Sequence, residues 1–135
     1  MSHYFSIDGT YVWNPSIGPG DLFTHLAEAL TPLAGPSGIG VTPGDPHDHP
    51  IDGAVFAKFA DTLVAEYRAT SHPIKRALLE GFVATAAVLA RRGGLPLPAL
   101  DGPAGTSTRD IPGGGAAGPD RLAELMAEHE RAMPA

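Results

Sequence analysis

The chain has 135 residues and a formal net charge of −6, and 17 Gly with 14 Pro make up nearly a quarter of it, which predicts one domain with a part left unpacked. The absence of Cys excludes a disulfide scaffold, thiol catalysis and thiolate metal sites, and with no apolar run near the ~18 residues that span a bilayer and no basic-then-apolar leader, a cytoplasmic protein without membrane contact is expected. Nucleic-acid binding needs a dense basic stripe, and only Lys75-Arg76 and Arg91-Arg92 are paired bases.

Tyr4-Phe5-Ser6-Ile7 and Thr10-Tyr11-Val12-Trp13 are β-branched and aromatic runs on either side of Asp8-Gly9. Asp-Gly supplies the positive φ angles of a two-residue type I′ turn, so residues 4–13 read as a β-hairpin. Asn14-Pro15-Ser16 and Gly18-Pro19-Gly20 then turn the chain. Leu22, Leu26, Leu30 and Leu33 recur at helical spacing and predict a first helix from Asp21, at its positive end, to about Leu33. Residues 34–51 follow as a long loop rich in Gly and Pro.

Val55, Phe56, Phe59, Leu63, Val64 and Tyr67 form one apolar stripe and predict a second helix over residues 52–70. Pro73 suits the first turn of a third helix running to about Arg92. That helix is apolar nearly all round after Glu80, and Gly81 with the alanines at 84, 86, 87 and 90 permits close approach of another helix. Residues 93–119 hold eight Gly and five Pro and read as a flexible linker. Residues 120–135 regain helical periodicity, with Leu122, Leu125, Met126 and Met133 on one face. A helix that short is marginal alone, so it must dock or fray. The expected architecture is α+β and mainly helical: an N-terminal hairpin on a three-helix core over residues 1–92, with a tethered C-terminal helix.

Charge is unevenly spread. Residues 1–57 carry six acids and no Lys or Arg, residues 58–92 have a balance of +3, and residues 93–135 a balance of −3. These regions can attract one another within or between chains. A small core with one lone hairpin and one over-apolar helix favours a homodimer.

His47 and His49 flank Asp48, and Pro50 favours an extended segment that places both rings on one side. Imidazole plus carboxylate is sound ligand chemistry, so Asp52, Asp45 or His25 can complete a metal site there. The alternative is a solvated surface loop, and no cofactor is expected. His72 sits where a helix N-cap belongs, either as a poised neutral base or as a turn residue before Pro73. Glu80 is either a general acid among apolar neighbours or the i,i+4 partner of Arg76. Tyr11, Trp13 and Asn14 end the hairpin and suit either a ligand pocket or the core. No phosphate-binding Gly loop and no activated-serine context is present.

Trp13-Asn14-Pro15-Ser16, the loop Gly35-Pro36-Ser37-Gly38-Ile39-Gly40 and the stretch from His72-Pro73 through Ala77-Leu78-Leu79-Glu80-Gly81-Phe82 together resemble a family of small actinobacterial proteins carrying a domain of unknown function. The resemblance spans residues 2–92 and implies no activity. Three functional readings follow from the residues: a non-enzymatic protein-binding or accessory protein that meets its partner through the third or C-terminal helix, a small enzyme or ligand-binding protein using histidine acid–base chemistry, and an immunity- or antitoxin-type inhibitor.

Overall fold

A computed structural model describes residues 3–34, 38, 40, 47–101 and 121–134. Strands β1 (Tyr4–Ile7) and β2 (Thr10–Trp13) pair antiparallel around Asp8 and Gly9, whose φ angles of 49° and 89° are those the Asp-Gly turn demands. A third strand, β3 (Asp48–Ile51), pairs parallel with the free edge of β1 and gives the sheet order β2-β1-β3. The segment read as loop therefore ends in a strand. Its Pro50 is tolerated because β3 lies at the edge of the sheet.

Helix α1 spans Ile17–Ala34, one turn earlier than the sequence suggested. Pro19 lies in its first turn, where a missing N–H costs nothing. Helix α2 (Gly53–Ala69) is capped by the Asp52 side chain, which accepts a hydrogen bond from the Val55 amide. The Asp8 carboxylate reaches over from the hairpin turn and accepts from the Gly53 amide at 2.9 Å, which seats the turn on the end of α2. Helix α3 (Pro73–Arg92) begins at His72 and ends in a Schellman arrangement. There Gly94 has φ 70°, its amide donates to the Arg91 carbonyl, and the Leu95 amide donates to the Ala90 carbonyl. That left-handed angle favours glycine at position 94.

The last elements are α4 (Pro98–Asp101) and α5 (Leu122–Ala132). Part of the Gly/Pro-rich stretch is packed: Leu97 is buried, Arg68 donates to the carbonyls of Ala99 and Leu100, and the Ala99 amide donates to Asp61. The C-terminal helix lies along α3 and buries Leu122, Leu125 and Met126, with Met133 just beyond. Arg92 holds this end of the chain to the hairpin through the carbonyls of Val12, Glu130 and Met133. The Asn14 amide donates to the Pro134 carbonyl beside it.

The fold is α+β and mainly helical, with α3 at its centre between α2 and α5. A run of rings joins sheet to helices: Phe5 stacks on Trp13, both meet Phe23 edge-on, and Phe23 stacks on Phe82. Among the described residues no helix is long and apolar enough to cross a membrane.

Candidate functional site

Three features of this scaffold carry potential chemistry. The first is a histidine cluster where β1, β3 and α1 meet. His49 sits opposite Phe5 in the parallel register and stacks on its ring at 4.6 Å. His3 is only 3% exposed, and its Nδ1 lies 2.7 Å from His49 Nε2. One of these nitrogens carries the hydrogen and the other accepts it. His3 Nε2 lies 2.9 Å from Asp21 Oδ1, although the N–H direction misses the carboxylate. The His47 ring leans on His3 at 5.5 Å, so His47 and His49 do share a side, as their i,i+2 spacing predicted.

Gly20 makes room for this arrangement. A Cβ there would fall 2.3 Å from His3 Cδ2, so α1 approaches the imidazole only because position 20 has no side chain. Burial lowers the pKa of His49, the nearby His3 acts in the same direction, and Asp48 opposes both.

The His3–His49 pair is built as a hydrogen bond. Two imidazoles on one tetrahedral zinc ion hold their nitrogens roughly 3.3 Å apart, and the 2.7 Å approach is that of a hydrogen bond. Among the described residues no three His, Asp or Glu side chains are placed to hold a metal ion. Asp52 is committed to its α2 cap and His25 is exposed on α1, whereas Asp45 lies outside the described residues.

His72 accepts from the Ile74 amide through Nδ1 at 3.2 Å, which is the N-cap role. Glu80 is not paired with Arg76. Arg76 is buried, donates to the Thr70 carbonyl and lies 5.4 Å over the Tyr67 ring, while Glu80 faces Arg121 at 4.0 Å. These tertiary partners displace the i,i+4 pair that spacing alone suggested. His72 and Glu80 are on separate surfaces of α3 from the histidine cluster and share no site with it.

The second feature is a hollow of about 470 Å³ on the outer side of the sheet. Tyr11, Trp13 and Asn14 line it together, joined by Tyr4 and Asp48. Tyr4 and Asp48 sit opposite each other in the β1–β3 register, a pairing that no local sequence signal announces.

The third is an apolar groove between α1 and α3. The two helices meet through Phe23 and Phe82, whose ring centroids are 5.0 Å apart. On either side of that contact lie two hollows, of about 460 and 430 Å³, which share Leu78. One is lined by Leu30, Leu33, Ile74 and Lys75, the other by Leu22, Leu26, Ala77 and Gly81. Leu78 is 79% exposed, Ile74 61% and Leu22 60%. Position 81 has open space where a Cβ would be.

No curated protein and no solved structure matches the chain. A family model does, over residues 1–135, so the match extends past the 2–92 span of the expected resemblance and takes in α5. The chain belongs to DUF6086, a family of unknown function.

Proposed function

We propose that this is a non-enzymatic protein-binding module that works as a homodimer, with the α1–α3 groove as the contact. The observation that carries the reading is the size of the exposed apolar face. Leu22, Leu26, Leu33, Ile74 and Leu78 are each 38–79% exposed around two hollows that share Leu78, a contiguous apolar patch of the kind that marks an association surface.

Charge favours a second copy as the occupant. Helix α1 carries Asp21 and Glu28 and no Lys or Arg, while the α3 side of the groove carries Lys75, which lies 3.0 Å from Glu66 within one copy. A two-fold contact lays α1 of one copy against α3 of the other, so the acidic helix meets the Lys75 side of α3 in two equivalent contacts. The face of α5 that the sequence offered to a partner is already used against α3, which leaves the α1–α3 side for association. The histidine-catalysed alternative rests on the hydrogen-bonded His3–His49 pair beside Asp21 alone, because His72 serves as a cap and Glu80 lies elsewhere.

Sedimentation equilibrium tests the reading. The wild type should be a dimer at tens of micromolar, and Leu78→Glu combined with Ile74→Glu should be a monomer with an unchanged circular dichroism spectrum, since both side chains are exposed in a single copy. A wild type that stays monomeric at those concentrations, or a double variant that still dimerises, would overturn it.

A further inference from the structure

We propose that the hollow over Tyr4, Tyr11 and Trp13 binds a small free quaternary or methylated ammonium compound. The walls are aromatic: Tyr4 and Tyr11 stand nearly edge-to-face, with centroids 6.3 Å apart and planes at 74°. Trp13 is held in place by its stacking on Phe5 at 5.3 Å. Two or three ring faces around one concavity are attracted to an alkylated cation through their quadrupoles, and the methyl groups desolvate cheaply against them.

The polar groups agree with that sign of charge. Asp48 supplies the carboxylate, and the described lining contains no Lys or Arg. A cationic head among the rings and beside the Asp48 carboxylate satisfies both the aromatic walls and the sign of the charge. Tyr4 and Tyr11 are 45% and 64% exposed, so their rings are open to a ligand in the hollow. The volume of about 470 Å³ suits a small molecule. Only Trp13 is shared with the α1–α3 groove, so this site stands or falls separately from dimerisation.

Trp13 is the only tryptophan in the chain, so its fluorescence reads the hollow directly. Choline titrated into the full-length protein should give a saturable change in emission. Its uncharged isostere 3,3-dimethyl-1-butanol, matched in shape and hydroxyl, should bind at least tenfold more weakly. Asp48→Asn and Tyr11→Ala should each weaken choline at least fivefold, and because both side chains are exposed, their melting curves should follow the wild type. The proposal is overturned by an unsaturated response up to about 50 mM choline, by equal binding of the isostere, or by variants that bind as the wild type does. An Nα-acetylated trimethyllysine amide that binds more tightly than choline would overturn the assignment to a free small molecule.

Discussion

Arg92→Ala should be among the most damaging single changes at the surface of this protein. The Arg92 guanidinium donates to Val12 O at 2.8 Å, Glu130 O at 3.0 Å and Met133 O at 2.7 Å, and its Nε lies 2.9 Å from Glu130 Oε1. Its side chain is largely covered, while Glu130 is about half exposed. The carboxylate pair is therefore worth little, below about 1 kcal/mol. The three carbonyls matter more, because a hydrogen bond to a charged group contributes about 1.5–3 kcal/mol. All three share one side chain and the exposed Glu130 carbonyl can regain water, so the sum is discounted to about 2–4 kcal/mol. At about 4 °C per kcal/mol for a domain of this size, the melting temperature should fall by roughly 8–15 °C.

Thermal and urea melts followed by far-ultraviolet circular dichroism measure this directly. Glu130→Gln should stay within about 0.5 kcal/mol of the wild type, and Arg92→Lys should recover less than half of the loss, since one ammonium cannot span three diverging carbonyls. Hydrogen exchange adds a local readout: the Asn14 amide, bonded to Pro134 O, should lose protection in Arg92→Ala. A variant within 1 kcal/mol of the wild type would refute the view that Arg92 clamps the C-terminal end onto the hairpin.

A chain ending at residue 119 forfeits the burial of Leu122, Leu125, Met126 and Met133; at about 1.5–3 kcal/mol each, that approaches the whole 5–15 kcal/mol of a typical domain, so it should lose its cooperative melt. A truncated protein melting within 5 °C of the full chain would show instead that α5 is a dispensable appendage. Acidification should destabilise the fold through His49: burial holds its pKa below 6.5 in the folded state, the unfolded chain binds more protons there, and stability is lost as pH falls from about 7 through 6.5 toward the folded pKa. Urea midpoints at pH 7.5 and 5.5 should differ accordingly and His49→Gln should reduce the difference; a midpoint that rises on acidification contradicts the sign.

What the sequence made legible was local. Asp8-Gly9 specified its own turn, Asp52 and His72-Pro73 marked the starts of α2 and α3, and the apolar stripe of α2 needed no partner to be recognised. What it hid was decided at a distance. Asp48-His49-Pro50-Ile51 has neither alternation nor strand propensity, and it is a strand because the free edge of β1, some forty residues away, offers it hydrogen bonds. Gly18-Pro19-Gly20 reads as a turn by composition, yet it opens α1 because its glycine is what His3 packs against.

The candidate sites divide along the same line. Tyr11, Trp13 and Asn14 lie within four residues, so their proximity could be anticipated, but the register shift opposite Phe5 and Ser6 that turns Trp13 inward and leaves Tyr11 exposed could not, and Tyr4 and Asp48 join them only through sheet register. The excess apolarity of α3 was visible, but which side stays open depends on α5 covering one flank and α1 meeting another through Phe23. His3 is the extreme case. Three residues from the chain start, it carries no local signal of importance, and its burial follows from three separate elements converging on it: the His49 ring from β3, the Asp21 carboxylate from α1 and the Pro15 carbonyl that accepts from its own amide. The one trace in the sequence is Gly20, a helix-weakening residue placed inside a helix, and the 2.3 Å clash a Cβ would make with His3 is the physical reason for it.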